Sequence, residues 1–514
     1  MSRLRNSYTL LLACTLSLGL AACAPPDDPQ AGPFDDYAGN AVLLPVENDP
    51  TVTFAVWFQS GTQDDPVGKE GLARLTASMI SDGATAENSY QDILKKLYPI
   101  ASGYGVRVDK EMTVLTGRTH RDNLDLFFQL YSDAYLRPAF DEADLDRLKK
   151  DQLNNLETSL RYAADEELGK AALDLAVYSG TRYAHPVSGT VEGLRSITLE
   201  DVKNFYVQNY SRRNAVLALG GGFDRALLDR FEATLQQMPQ SPAPAEPEIA
   251  TATLEGRKVT LVSKPGADAS ISFGRPVTVR RGTRDFYALW IANSWLGEHR
   301  NSSSHLYNVI RETRGMNYGD YSYIEAFPQG GFRSMPPTNV ARDHQKFEVW
   351  IRTLPNEQAV FALRAALREL DMLIDNGLSE EQFQLTRSFL SKYHLHFATT
   401  TAERLGYLID DRFYGIDAPG HLTTFGEMMS SITLDEVNAA VKKYLQTNDL
   451  EIAIVTGDAE GLTRQLTSGE PTPMSYSIEK PAEVLEEDKI IEAYALHISE
   501  DAVTVIPVTD IFEN

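Results

Sequence analysis

An internal repeat constrains the fold of this chain more than any other feature of its sequence. The segment Ser196–Val202 recurs as Ser431–Val437, 235 residues further along. In each copy a threonine, Thr198 or Thr433, stands where it can cap a helix, and acidic residues follow in the first turn. An apolar, strand-like segment follows each of these helices. The repeat predicts two related halves in which helices and strands are mixed, and therefore an α+β class.

The halves are separated by a proline-rich stretch, residues 239–249. Proline lacks a backbone donor and clashes inside helices and central strands, so we expect a linker there. Residues 475–514 contain one helix-like and one strand-like stretch, which we expect to pack on the second half. The predicted organisation is a signal peptide at 1–23, a tether at 24–39, an N-terminal domain at 40–238, the linker, a C-terminal domain at 250–470 and an extension at 471–514.

The N-terminus has the pattern of a bacterial lipoprotein signal. Basic residues precede an apolar run that is too short to cross a bilayer, and Leu20–Cys23 looks like a lipobox. Cys23 is then the lipid anchor, and the protein is expected at the bacterial cell envelope. Ala24 carries no acidic retention signal, which favours the outer membrane, facing the periplasm. The alternative is a plain signal peptide cut near Ala22, with an incidental cysteine.

Charge and cysteine content exclude several classes of function. The formal net charge is −24, so nucleic acid is not an expected partner, and contact with a membrane is expected through the lipid anchor only. The chain has only two cysteines, one of them inside the signal. Disulfide bonds therefore do not stabilise the predicted mature protein.

Two segments of the first half resemble a known family. The loop Gly61–Gly71 and the helix that starts at Leu72 are similar to the loop and the G-L-A-H-x-x-E-H helix of the insulinase/pitrilysin zinc peptidases. The similarity is strongest to the branch of mitochondrial processing peptidase and the bacterial two-subunit peptidases. Tyr183–Leu194 resembles a further segment of that family. The resemblance covers nearly all of residues 40–465 and implies two homologous α/β-sandwich halves that form a clam-shell.

The residues that carry the family's chemistry are replaced. The motif needs two histidines four residues apart to bind zinc and a glutamate between them to activate water. Arg74, Ala77 and Ser78 stand at these positions, and Asn154 stands at that of the third ligand, a glutamate. Glu157 lies one turn further on and is the alternative for that ligand. The resemblance thus implies a chain that holds no zinc and cannot hydrolyse peptides alone.

A different pair of family residues is retained in the second half. Leu306–Gly319 is similar to the family's L-x-x-x-L-R-E-x-x-G-L-x-Y segment, and Arg311 and Tyr318 keep the spacing of its arginine and tyrosine. In the family these two residues bind the substrate backbone near the scissile carbonyl. A guanidinium and a phenol can both donate to an oxygen that gains charge in the transition state.

Three hypotheses follow for the function. The leading one is a non-catalytic subunit that supplies Arg311 and Tyr318 to a zinc-bearing insulinase-family partner, which cleaves extended or unfolded peptides. The second is a stand-alone peptide-binding or scaffold lipoprotein without proteolysis. The third is a peptidase with an unrecognised site, but the histidines that could build one, such as His299 with His305 or His394 with His396, match no known ligand spacing.

Overall fold

The computed structural model describes residues 34, 36–241 and 253–514. The predicted signal peptide, Cys23 and most of the predicted tether and linker lie outside the described residues. The chain divides into two units, residues 1–39 and 40–514, and the account below concerns the second. Among the described helices, none is long and apolar enough to span a membrane.

The elements of the two halves follow each other in the same general order. In the first half they are β1 (Val42–Pro45), β2 (Thr51–Phe58), α1 (Leu72–Ser81), α2 (Tyr90–Leu97), β3 (Gly103–Val108), β4 (Thr113–His120), α3 (Leu124–Leu136), α4 (Glu142–Asn154), a π-helical segment (Asn155–Ala163), α5 (Asp165–Val177), α6 (Val191–Ser196), α7 (Leu199–Asn209), β5 (Ala215–Gly221) and α8 (Arg225–Glu232). In the second half they are β6 (Arg257–Ser263), β7 (Ala269–Val277), α9 (Arg284–Gly297), a π-helical segment (Tyr307–Glu312), β8 (Asp320–Tyr323), β9 (Gln345–Leu354), α10 (Ala359–Asn376), α11 (Glu380–Tyr393), α12 (Thr401–Tyr414), α13 (His421–Ser431), α14 (Leu434–Tyr444), β10 (Leu450–Thr456) and α15 (Ala459–Thr467). The C-terminal tail adds α16 (Ala482–Glu492) and β11 (Val503–Pro507).

The two sheets have the same topology. The strand order is β1-β5-β2-β4-β3 in the first and β6-β10-β7-β9-β8 in the second, with β11 added beside β6. In each sheet the first two strands of this order are parallel and the others pair antiparallel. This arrangement confirms the predicted α+β class with two homologous halves.

The repeated segment begins a helix in both halves. The Thr198 hydroxyl accepts a hydrogen bond from the backbone N–H of Asp201, whose carboxylate accepts one from the Thr198 backbone. Thr433 and Glu436 form the same reciprocal pair at the start of α14. Each pair satisfies two backbone donors that the first turn of a helix leaves without partners, which explains why these residue types recur.

Strand β2 has two buried faces that pack against different halves. Phe54 contacts Phe127 and Phe231, aromatic residues of α3 and α8 in the same half. Trp57 points to the opposite face and lies 6.0 Å, ring to ring, from Phe413 of α12. Because both faces are buried, β2 is apolar almost throughout instead of alternating with polar residues.

The halves exchange one helix each. Helix α5 belongs to the first half but packs on β10 and β7 of the second sheet, where Leu168 and Leu173 join a core with Ala453 and Val455. Helix α12 of the second half packs in turn on β1 and β5 of the first sheet. The two helices start 236 residues apart, close to the offset of the repeat. The exchange makes each half part of the other's core.

Small residues let the exchanged helix α5 approach the second sheet closely. Gly169 faces Ser270 of β7, and a Cβ added at Gly169 would stand 3.6 Å from the Ser270 carbonyl oxygen, which is ordinary van der Waals contact. In α12, a Cβ at Gly406 would stand 2.5 Å from the Thr338 hydroxyl. The first helix thus has room for a methyl group, and the second does not.

The C-terminal tail contacts both halves, whereas we expected it to pack on the second alone. Strand β11 extends the second sheet beside β6. Beyond it, the Ile511 carbonyl accepts hydrogen bonds from Arg161, and the carbonyls of Phe512 and Glu513 accept from the backbone N–H groups of Val191 and Glu192. The backbone N–H groups in the first turn of α6 have no partners within the helix, and they donate hydrogen bonds to the C-terminal residues instead.

We expect Gly169→Ala to raise the free energy of unfolding by about 0.5–1 kcal/mol, because alanine favours a helix interior and its methyl group fits here. Gly169→Leu should lower it by about 1–3 kcal/mol through overpacking against β7. Urea unfolding followed by circular dichroism measures both. Gly406→Ala is the matched control and should be destabilising. A destabilising Gly169→Ala would contradict the room for a methyl group between α5 and β7.

Candidate functional site

The loop before α1 fixes the start of that helix. The buried Asp65 carboxylate accepts hydrogen bonds from the backbone N–H groups of Gly71 and Ala73, at 2.7 and 2.6 Å. Gly71 has a φ of +103°, and a Cβ there would stand 2.8 Å from the Ser188 carbonyl oxygen. The resemblance of this loop to the family is therefore accounted for by its structural role, which does not depend on a metal.

The three replaced motif positions share one face of α1, as their spacing requires. Arg74 is exposed and lines a cavity, Ser78 is half-buried, and Ala77 is fully buried. Helix α4 packs on α1, and the Gln152 side chain of α4 donates hydrogen bonds to the carbonyls of Gly71 and Ser188, at 3.0 and 2.9 Å. Helix α1 thus presents the three positions on one face beside α4, but their side chains carry neither an imidazole nor a carboxylate.

The third ligand position lies at the end of α4. Asn154 is the last residue of that helix and is exposed, and the π-helical segment Asn155–Ala163 follows directly. Glu157, the alternative, accepts a hydrogen bond from Arg195 at 2.8 Å and is not among the residues that line the cavity. A shift of the alignment by one turn therefore brings in a carboxylate that already pairs with an arginine.

The residues present at these positions do not fit zinc. A guanidinium is cationic, a methyl group has no donor, and a hydroxyl and a carboxamide are weak ligands for this ion. Within the part of the chain that the structure describes, no group of three or more histidine, cysteine, aspartate or glutamate side chains could hold a metal.

The histidines considered in the sequence have other contacts. His299 is buried, its Nδ1 lies 2.8 Å from the Tyr323 hydroxyl, and its Nε2 lies 2.9 Å from the Arg333 carbonyl oxygen. Burial lowers the pKa of His299 to about 4, so its ring is neutral at pH 7. His305 pairs instead with Glu369, at 2.6 Å. The structure therefore does not bring the rings of His299 and His305 together as ligands of one metal ion.

A cavity of about 590 Å³ lies between the halves, beside the replaced motif. Its wall includes Arg74 and Val106–Lys110 from the first half, and Ala326–Gln329 from the second. Strand β3, which contributes Val106–Val108, is the last strand of its sheet and, among the described strands, has a neighbour on one side only. The cavity thus adjoins a sheet edge to which an extended peptide can add by backbone pairing. A second cavity, of about 610 Å³ beside α2, contains none of the predicted site residues.

Arg311 and Tyr318 lie together at the free edge of the other sheet. Arg311 belongs to the π-helical segment Tyr307–Glu312, and its guanidinium carbon lies 5.5 Å from the centre of the Tyr318 ring. Tyr318 is 76 % exposed and stands two residues before β8, the edge strand of the second sheet. Neither residue lines the cavity between the halves. The pair is therefore formed in advance and presented outward, apart from the replaced motif of its own chain.

A buried polar turn holds Tyr318 in this position. The Asn317 side chain donates to the carboxylate of Asp320, at 2.7 Å, and accepts from the backbone N–H of Gly319. Burial raises the pKa of Asp320 well above its usual range, against the hydrogen bond from Asn317 and the positive charges of Arg352 and Arg311. The turn between the π-helical segment and β8 is thus fixed by residues that the sequence comparison did not single out.

Sequence reasoning missed a cationic part of the cavity. Lys170 of the exchanged helix α5 is buried against the second half, with its Nζ 4.8 Å from the Tyr323 ring centre and 4.4 Å from that of Trp350. Arg107 of β3 lines the same cavity. No spacing in the sequence reveals these neighbours, because they come together only when the halves close.

We expect the variant with Arg74→His, Ser78→His and Asn154→Glu to bind about one zinc per chain, because two histidines four residues apart on α1 and a glutamate on the helix packed against it are the ligand types of a three-ligand zinc site. The unchanged chain should bind none after chelation and resupply. Dialysis against zinc followed by elemental analysis measures the stoichiometry. The double variant without Asn154→Glu is the control and should bind far more weakly. Stoichiometric zinc in the unchanged chain would contradict the replacement of the ligands.

Comparisons with known proteins agree with this geometry. The family model described as insulinase (peptidase family M16) matches residues 41–191, and the model described as peptidase M16 inactive domain matches residues 196–390. Among curated proteins, the chain is 23 % identical to a "non-peptidase homolog YmxG" of Helicobacter pylori, over 87 % of this chain and 97 % of that protein. It is also 23 % identical to an "uncharacterized zinc protease" of Streptomyces coelicolor, over 65 % of this chain and 69 % of the relative.

Solved structures show the same fold. A peptidase M16 inactive domain from Pseudomonas fluorescens superposes with a TM-score of 0.71 at 22 % identity, covering 81 % of this chain and 95 % of that one. A protease from Helicobacter pylori gives a TM-score of 0.68 at 16 % identity, covering 81 % and 97 %. Two family models that together span more than half of the 514 residues, the matching fold and the replaced ligands lead to one conclusion: the chain belongs to the insulinase (M16) peptidase family, as an inactive homologue.

Proposed function

We propose that this protein is the non-catalytic, substrate-binding subunit of a heteromeric zinc peptidase at the bacterial cell envelope. Its partner is a second insulinase-family chain with an intact H-x-x-E-H motif, which holds the only zinc. The two chains enclose an extended peptide, and Arg311 and Tyr318 donate hydrogen bonds to the peptide backbone near the bond that the partner cleaves. One observation carries the proposal: the exposed, stacked Arg311–Tyr318 pair in a chain whose own zinc ligands are replaced.

The geometry of the pair suits action on a site in another chain. Tyr318 is mostly exposed although it is a large aromatic residue, and its ring is held by the neighbouring guanidinium. An exposed aromatic ring that is held in this way is available to contact a partner or a ligand. Both groups are donors, and donors placed in advance at a developing negative charge require no reorganisation during the reaction. A chain that presents these groups outward can complete a site that lacks them.

We expect Arg311→Ala and Tyr318→Phe each to lower kcat/KM of the assembled peptidase by about 100-fold, the usual effect of removing one donor to a developing oxyanion. The measurement is cleavage of a quenched fluorescent peptide by this chain together with its zinc-bearing partner. Arg464→Ala and Tyr98→Phe change exposed residues of the same types and should leave the rate unaltered. Size-exclusion chromatography checks that the variants still assemble.

Unaltered cleavage by both site variants, with assembly intact, would refute the supply of these groups to the partner. If the control variants lose as much cleavage activity as the site variants, the loss is a general effect of surface substitutions instead. Because Tyr318→Phe removes only a hydroxyl, its effect separates donation from the packing of the ring against Arg311.

A second candidate function is a stand-alone peptide-binding lipoprotein. The cavity of about 590 Å³ beside the free edge of β3 favours it, since this site lies within one chain and needs no partner. Isothermal titration of the chain alone with extended peptides distinguishes the candidates when combined with the cleavage assay. The stand-alone function is favoured if the chain binds peptides but does not activate a zinc-bearing relative encoded by a neighbouring gene. It is also favoured if no such neighbouring gene exists.

The envelope location rests on Cys23, which we propose to be lipidated after cleavage of the signal. Cys23→Ser should abolish incorporation of labelled fatty acid, because serine lacks the thiol that carries the lipid, and the cleaved protein should shift from the membrane to the soluble fraction. Fractionation of bacteria that produce either form measures the shift. Cys14→Ser, inside the signal, is the control and should leave the distribution unchanged. Labelled fatty acid on the Cys23→Ser protein would contradict a lipid anchor at this cysteine.

A further inference from the structure

The cavity between the halves has a charge opposite to that of the chain as a whole. The chain carries a formal net charge of −24, yet the cavity wall has six cationic side chains and four carboxylates. The cationic ones are Arg74, Arg107, Lys110, Lys170, Arg342 and Lys346. The carboxylates are Asp109, Glu167, Asp174 and Glu348. A positive, enclosed wall attracts anions more strongly than the same charges on an open surface.

Most of these cations already have partners within the protein. Arg342 forms a buried ion pair with Asp109, and Lys346 contacts Asp174 and Glu348, at 2.6 and 2.8 Å. Lys110 donates to the His185 carbonyl, and Lys170 lies over aromatic rings. Their charges are therefore balanced or engaged and are not available to a ligand without loss of these contacts.

Three arginines beside the cavity have no such partner. Arg74 and Arg107 line it, and Arg333 follows Phe332, which also lines it. Among the described residues, none of these three guanidiniums forms an ion pair, and the Nε of Arg333 is buried without a hydrogen-bond partner. Burial lowers the pKa of Arg107, and the nearby positive charges of Arg333 and Arg74 lower it further, against Asp109 and Asp410. A guanidinium near two other positive charges gains stability when an anion binds beside it.

The position of Arg107 on β3 indicates what kind of anion fits. A peptide that pairs with this edge strand places its side chains directly opposite those of β3, at about 5 Å between Cβ atoms. Arg107 shares one face of the strand with Gly103 and Gly105, at which an added Cβ would meet nothing within 4 Å. The face next to Arg107 is therefore free for the side chains of a bound peptide.

We infer that the cavity binds extended peptides through a carboxylate, with Arg107 as its main partner and Arg74 and Arg333 beside it. The inference rests on the proposed peptide-binding function and names the class of peptide. The carboxylate is an acidic side chain within the peptide or its C-terminus, since both offer the same two oxygens to a guanidinium. Arg74 retains positive charge at a position where zinc-binding relatives have a ligand of the metal, so the loss of the metal leaves the site electrostatically suited to an anion.

The test uses the full-length protein in detergent and three labelled nine-residue peptides with the same apolar residues. One has a central glutamate and an amidated C-terminus, the second has glutamine there and a free C-terminus, and the third has glutamine and an amidated C-terminus. Fluorescence anisotropy at 50 mM salt should show that at least one carboxylate peptide binds about 10-fold or more tightly than the uncharged one. The peptide that binds more tightly than the uncharged one identifies which carboxylate is recognised.

Arg107→Gln should remove this preference while leaving affinity for the uncharged peptide within about twofold, and Arg107→Lys should retain part of it. Arg118→Gln is the matched control: it changes an exposed arginine on β4 that donates to Thr51, and the preference should persist. Raising the salt to 500 mM should reduce the preference, because the interaction is electrostatic. Thermal unfolding of each variant checks that it folds.

Equal affinity for all three peptides would overturn the inference and leave peptide binding itself in place. A carboxylate preference that survives Arg107→Gln would overturn the assignment to this strand. If no peptide binds to the chain alone, while Arg311→Ala still impairs cleavage by the assembled peptidase, the cavity site fails and the proposed subunit function stands.

Discussion

Reciprocal packing of α5 and α12 is the constraint on which the rest of the structure depends. Each helix covers the sheet of the opposite half, so the central strands of both sheets are buried on both faces and the two halves cannot separate without exposing their cores. Fully burying one leucine or valine side chain contributes about 1.5–3 kcal/mol, and each exchanged helix buries several. This packing brings α5, with Lys170 and Glu167, to the wall of the cavity between the halves. The site and the core are therefore formed by the same contacts.

Much of the fold could be predicted from the sequence because its signals are local. Thr198 and Thr433 cap helices through hydrogen bonds to residues three positions away, so a short repeated segment is enough to identify them. The identity of the two sheet topologies follows from the same repeat. The exchange of helices could not be predicted, since the apolar face of α5 shows that the helix is buried but does not show against which sheet. The docking of the tail on the first half depends on backbone groups of α6 and has no sequence pattern.

The candidate site, like the fold, could be predicted only where the signals are local in the sequence. Positions 74, 77 and 78 could be predicted from the resemblance to a family motif, and the structure places them on one face of α1; it also places Arg311 beside Tyr318, as their spacing indicates. Glu157 could not be excluded from the sequence, because its contact with Arg195 joins residues far apart in the chain. Arg107 and Arg333 come from different halves, and nothing in their separate surroundings indicates that their charges meet. The π-helical turns at Asn155–Ala163 and Tyr307–Glu312 also have no local signal, although both adjoin predicted site residues.

The docking of Phe512 and Glu513 on α6 has a consequence for the synthesis of the protein. Helix α5 finds its sheet only after β10 has been made, and α6 receives its backbone acceptors only from the last three residues of the chain. The N-terminal half consequently cannot complete its structure while the ribosome is still translating the C-terminal half. Contacts this distant in sequence close slowly. Until β10 is made, Leu168 and Leu173 of α5 have no complete sheet to pack against, and the growing chain leaves these apolar side chains uncovered.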